Sequence, residues 1–181
     1  VIVIRLYNKH IHNRNFSCVD YIIINLRGIY MDKTVNALIV KMERSRSRLN
    51  AALDRVAPET EIYPSWKLKQ VMDHIAGWDA LVASSLRAYQ NDEIPSLRVP
   101  SIDQYNAASV SARQDLSLEQ SRHAYDAARR EVLQIMHNLP EDMLARRYPA
   151  PWGGSCTVAS IVKIFVSHEE EHAKQIEETF N

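Results

Sequence analysis

From Thr34 onward, apolar residues recur at steps of three and four. Val35, Leu38, Ile39, Met42, Leu49, Leu53 and Val56 form a first stripe with the spacing of one helix face. Ser45 weakens the middle of that stripe, and Pro58 closes the helix. Pro64 and Ser65 then open a second helix, with Ser65 as its expected N-cap. Its stripe is Leu68, Val71, Met72, Ile75, Trp78, Val82 and Leu86, and it fades near Asn91. Pro95 and Pro100 mark residues 92–102 as a loop. A third helical region begins near Asp103 and breaks near Leu116 and Ser117, where Ser117 and Gln120 match a capping box. It resumes with Tyr125, Ala128, Val132, Ile135, Met136 and Leu139, and Pro140 ends it. Pro149 to Gly154 predicts a long turn. Ser155 or Thr157 caps a last helix that carries Val158, Ile161, Phe165, His168, His172, Ile176 and Phe180 on one side. Four amphipathic helices with no strand signal after Met31 predict an all-α antiparallel bundle, with a looser helical domain as the alternative.

Residues 1–30 read differently. Two β-type runs, Val1 to Leu6 and Tyr21 to Leu26, flank a polar stretch rich in Asn, His and Lys. The segment lacks the basic start, apolar block and small-residue cleavage site of a signal peptide. Met31 reads as the start of the domain, with residues 1–30 an extension from upstream translation or cloning. The alternative is a β-hairpin packed on the domain. His10 and His12 alternate like residues on one strand face, and a metal site there is not expected.

Composition narrows the class. Only 4 of the 181 residues are glycine, which with abundant Ala, Leu, Glu, Gln and Arg favours helix. Acidic and basic residues balance at 22 each, so no basic footprint for nucleic acid is expected. No stretch approaches the roughly 20 apolar residues of a membrane span. Cys18 and Cys156 do not make a disulfide framework, so a reducing cytoplasm is expected. Cys156, near a helix start, is either a thiol of lowered pKa or an inert small residue.

The strongest chemical signal lies in the last helix. Steps of three and four from Phe165 reach His168, then His172, then Ile176, so both histidines face the core. Four residues apart, they project from one helix face, a spacing suited to gripping one cation. A third ligand must come from elsewhere, and His74, at the margin of the second stripe, is the natural choice. His123 and His137 are weaker candidates, one at the polar start of its helix segment and the other beside its end. The competing readings are a hydrogen-bonded core histidine at His74 and a charged surface patch around Glu169 to Glu171. Trp66, Trp78 and Trp152 read as core or pocket-wall aromatics.

His168-Glu169-Glu170-Glu171-His172 also fits the H-E-x-x-H pattern of zinc proteases, in which the first Glu is the general base. Those enzymes usually draw a third ligand from downstream. No His lies among the nine residues after His172, and Glu177 and Glu178 are too close along the helix to fold back. A protease therefore ranks well below a bundle metalloprotein.

The stretch W-K-L-K-Q-V-M-D-H-I-A-G-W, from Trp66 to Trp78, resembles the second helix of DinB-like four-helix-bundle proteins, including the DfsB branch. S-H-E-E-E-H-A-K-Q-I resembles their last helix. I-D-Q-Y-N, L-S-L-E-Q, L-P-E-D-M-L and P-W-G resemble further family landmarks. The similarity runs from about Met31 to the C-terminus and leaves residues 1–30 outside. It implies an up-down four-helix bundle with a long crossover, in which His74, His168 and His172 hold a divalent ion such as zinc, nickel or iron. It also implies a tendency to dimerise. Some relatives transfer low-molecular-weight thiols or isomerise thiol adducts, and one branch protects against a genotoxin. A small electrophilic substrate is therefore expected, in detoxification or stress response, with a thiol as candidate co-substrate.

Three neutral imidazoles leave a cation its full charge and open positions, which suits hydrolysis, thiol addition or isomerisation. Glu169 is a candidate base, a partner orienting an imidazole, or a solvated helix residue. Asp103 and Asn106 either line the site or cap the third helix. The rival from another class is a non-enzymatic protein stabilised by its metal.

Overall fold

The computed structural model describes residues 34–99 and 101–180. The expectations for residues 1–30, for Met31 as a start and for His10, His12 and Cys18 lie outside the described residues. Among the described residues five α-helices dominate: α1 Val35–Leu53, α2 Leu68–Gln90, α3 Ile102–Ser111, α4 Leu118–His137 and α5 Val158–Phe180. Two small antiparallel hairpins accompany them, β1 Glu61–Tyr63 with β2 Trp66–Lys67, and β3 Arg147–Pro149 with β4 Ser155–Thr157.

The fold is all-α, as the stripes predict, and the helix ends follow local chemistry. Thr34 Oγ1 accepts from the Ala37 backbone N–H and caps α1. The Glu141 carboxylate also accepts from the Val35 N–H, placing negative charge at the positive end of that helix. The capping box at Ser117 and Gln120 forms as expected. Thr157 and Ser160 exchange backbone-to-side-chain bonds at the start of α5.

Two expectations are corrected. Ser65 does not cap the second helix. It sits in the left-handed region, at φ 67°, in the turn of the β1–β2 hairpin. The helix starts at Leu68, and the Lys67 N–H donates to Gln70 Oε1. The expected absence of strands also fails, because both hairpins lie after Met31. Strands of two or three residues are too short to show an alternating pattern. In the second hairpin, Gly153 and Gly154 take positive φ and supply the turn that Pro149 to Gly154 predicted.

The core fixes the sense of each helix. One apolar cluster joins the start of α1, the ends of α2 and α4 and the start of α5. A second joins the end of α1, the start of α2, Tyr125 of α4 and the end of α5. The four long helices therefore run up, down, down, up, and consecutive long helices are antiparallel except α2 and α4. Because α2 and α4 run the same way, residues 91–117 must return the length of the bundle, which is the long crossover. α3 lies in that return and docks on α2. The two helices pack tightly at Gly77, where a Cβ would stand 2.3 Å from Ser109 Oγ.

Candidate metal centre

Halfway along the bundle, the stripes stop being apolar. α2 contributes His74 and α5 contributes His168 and His172, and all three are buried. Their ring nitrogens converge within 4.8 Å of one another, the one such cluster of potential metal ligands among the described residues. His74 Nε2 lies 3.2 Å from His168 Nε2, and His168 Nε2 lies 2.9 Å from His172 Nε2. Nitrogens about 2.0–2.1 Å from one ion stand about 2.9 Å apart at right angles and about 3.4 Å apart at the tetrahedral angle. The observed spacings match that range, so the donor set fits a divalent transition metal.

The surroundings keep the imidazoles neutral, the form a metal needs. Burial lowers the pKa of His74 and of His172 well below the ordinary value, and neighbouring histidines add to the effect. Burial likewise lowers His168 to about 4. Aromatic rings wall the site. Trp66 packs on His74 with centroids 5.0 Å apart, and Trp78 and Phe165 lie against His168. Tyr63, on β1, places its hydroxyl 2.7 Å from His172 Nδ1. His74 Nδ1 has no hydrogen-bond partner among the described residues.

The other candidates separate cleanly. His123 and His137 are exposed on α4 and do not join the cluster. Asp103 is exposed in the first turn of α3, and Ser101 rather than either candidate caps that helix. Asn106 is buried and accepts from Trp78 Nε1 at 2.9 Å, so it holds a wall of the site. Trp152 packs against the first core cluster. Cys156 is buried, with its sulfur 3.8 Å from both the Tyr89 hydroxyl and the Tyr148 carbonyl, which matches the inert reading.

Glu169 is neither solvated nor in the site. It is buried on the other flank of α5, in a charge cluster with one member from each long helix: Arg46, Asp79, Arg129 and Glu169. Arg46 Nε and Arg129 Nη2 donate to Glu169 Oε1 at 2.8 and 2.7 Å, and Ser45 donates to Oε2 at 2.7 Å. The same two arginines bind the two oxygens of Asp79 at 2.7 and 2.9 Å. Arg46 also lies over the Tyr125 ring, 3.9 Å from its centroid. Two positive and two negative side chains make the cluster neutral. With both oxygens engaged, Glu169 does not stand free as the base of an H-E-x-x-H protease.

The sequence reading missed Arg46, Asp79, Arg129 and Tyr63, and it named Ser45 and Glu169 without the charge cluster they join. Ser45 and Arg46 sit where the first stripe lapses between Met42 and Leu49. Asp79, Arg129 and Glu169 occupy inward steps of their own stripes, four residues after Ile75, Tyr125 and Phe165. A charge at an inward step of every long helix was the available signal. Tyr63 gave none, because its strand is three residues long.

Several known proteins are similar to this chain. A protein of Oceanobacillus iheyensis named "Putative metal-dependent hydrolase" is 27% identical over 128 residues, covering 71% of this chain and 72% of that protein. The colibactin self-resistance protein ClbS, solved with double-stranded DNA, superposes with a TM-score of 0.67 at 12% identity, over 82% of this chain and 96% of that one. A variant of the mycothiol-dependent maleylpyruvate isomerase gives 0.66 at 11% identity, over 78% of this chain and 60% of that one. These two structures share the fold, and the DNA bound to ClbS shows that the expectation of no nucleic acid does not follow from it. No helix among the described residues is long and apolar enough to cross a membrane. Residues 41–176 match the model of the DinB superfamily and include all three converged histidines, so the chain belongs to that superfamily.

Proposed function

We propose that His74, His168 and His172 hold one divalent metal ion, and that the chain is a metal-dependent enzyme acting on a small electrophilic molecule. The observation that carries this reading is the convergence of three buried imidazoles, with ring nitrogens 2.9 and 3.2 Å apart. Three protein ligands leave positions for water or substrate, the pattern of catalytic rather than structural sites. A divalent ion bound there lowers the pKa of water or a thiol and polarises a carbonyl. The aromatic wall of Trp66 and Trp78 suits an apolar substrate portion beside it.

The reaction class is hydrolysis or thiol transfer, with a low-molecular-weight thiol as co-substrate in the second case. The relative named as a metal-dependent hydrolase supports the first, and the fold shared with a mycothiol-dependent isomerase supports the second. Detoxification or stress response is the role this chemistry suits. Zinc, nickel and iron all accept imidazole ligands, and the donor set does not choose among them. The proposal extends, from the family resemblance, to residues 31–181 as the working domain and to a homodimer acting in the cytoplasm.

The test is elemental analysis of the full chain purified without a histidine tag, followed by hydrolase and thiol-transfer panels on metal-loaded protein. About one metal per chain and metal-dependent turnover are expected. Failure of the wild type to take up any divalent transition metal overturns the reading.

The burial of His74 and His172 favours one alternative, a binding protein stabilised by its metal. Replacing all three histidines with apolar residues of similar volume separates the two. An enzyme loses turnover and keeps its melting temperature, whereas a metal-stabilised protein melts much lower.

A further inference from the structure

The hairpin between α1 and α2 reaches two of the three histidines at once. Tyr63 and Trp66 are paired across the β1–β2 register. The positive φ of Ser65 closes the turn between them. From that turn, Tyr63 meets His172 of α5 and Trp66 packs on His74 of α2. The Tyr63 ring also lies edge-on to His172, with centroids 5.5 Å apart. One small element, local in sequence to α2 alone, thus contacts donors on both helices.

The contact at His172 is specific. Tyr63 is buried, and its oxygen lies 2.7 Å from Nδ1, while Nε2 of the same ring points at His168. An imidazole that donates Nδ1–H keeps its Nε2 lone pair free for a cation. A ligand histidine ordinarily needs such an acceptor to hold its tautomer and ring angle. No other hydroxyl, carboxylate or carbonyl among the described residues is bonded to that nitrogen. His74 Nδ1 has no comparable partner, so the donors are held unequally.

We propose that Tyr63 is a positioning residue of the metal centre: it accepts a hydrogen bond from His172 Nδ1–H and so fixes the tautomer and angle that direct Nε2 towards His74 and His168. The inference rests on the metal-site reading. It adds a residue that the histidine spacing does not indicate, and it assigns the hairpin a part in the centre.

The test is Tyr63→Phe in the full chain, which removes one oxygen and keeps the ring packed against Trp66. Cobalt(II) titration, followed by its visible ligand-field absorption, gives affinity and coordination geometry together. The variant is expected to bind cobalt between about 10-fold and about 100-fold more weakly, with an altered spectrum. In the zinc-loaded wild type, proton NMR should show a slowly exchanging His172 imidazole N–H, and the variant should lose it. A purely packing role for the phenol would move the melting temperature without changing that resonance or the cobalt spectrum. His172→Ala separates the two levels of failure. If the wild type binds cobalt, His172→Ala abolishes binding and Tyr63→Phe keeps both affinity and spectrum, the positioning role is refuted and the site stands. If the wild type and His172→Ala behave alike, the site reading itself falls.

Discussion

Replacing Glu169 with Gln removes one charge from the neutral cluster that ties the four long helices together. In the wild type, Arg46 and Arg129 are each shared between Asp79 and Glu169, and all four side chains are buried. After the substitution, two guanidinium groups face a single carboxylate, leaving one positive charge uncompensated where water cannot reach it. Breaking a buried ion pair from one side costs about 3–5 kcal/mol, because the stranded partner keeps its desolvation penalty. A domain of this size shifts by about 2–4 °C per kcal/mol, so the melting temperature should fall by about 6–20 °C. Thermal unfolding followed by circular dichroism, with a urea titration for the free energy, is the assay. Adding Arg129→Met to the Gln variant removes the surplus charge and should recover part of the loss, a coupling that a double-mutant cycle measures. A drop under about 2 °C would refute the reasoning. So would a Glu169→Gln protein that keeps its stability while losing all turnover, because that result would return Glu169 to the role of catalytic base.

Alanine at His74, His168 or His172 should each abolish stoichiometric metal uptake, measured by plasma emission after dialysis, whereas His123→Ala and His137→Ala should retain it. Full occupancy in His74→Ala would dissolve the triad. Acid should weaken the metal-free fold: the unfolded histidines protonate near about 6.5, while burial holds His168 at about 4 and the other two well below their ordinary value. The folded state therefore binds fewer protons in that window, and its stability should be intact above about pH 6.5 and decline progressively below it. Melting temperatures of metal-free protein across pH 4.5 to 7.5, with the triple apolar variant as control, check the slope. Gly77→Ala should cost about 1–3 kcal/mol through collision of its Cβ with Ser109. Urea unfolding should show the double variant with Ser109→Gly to be less destabilised than the sum of the two single ones.

The sequence by itself determined the helices and most of the candidate site. Steps of three and four record which face of a helix leaves water, and burial follows that face whatever the neighbours are. Val35 to Leu53, Leu68 to Leu86 and Val158 to Ile176 were legible for that reason, and the same stripes placed His168 and His172 inside. The margin of the second stripe offered His74 as the third candidate, and the resemblance to a known family added the crossover. Tertiary structure decided the rest. Whether a charge at an inward step is a solvated exception or half of a buried pair depends on what the other helices place opposite it. Arg46, Asp79, Arg129 and Glu169 each look like a defect in one stripe, and they balance only when four helices meet. The hairpins escaped because three residues cannot display a period. Tyr63 escaped with them, since its partner His172 lies 109 residues along the chain. A local pattern reports which residues leave solvent, but only packing selects which of them touch.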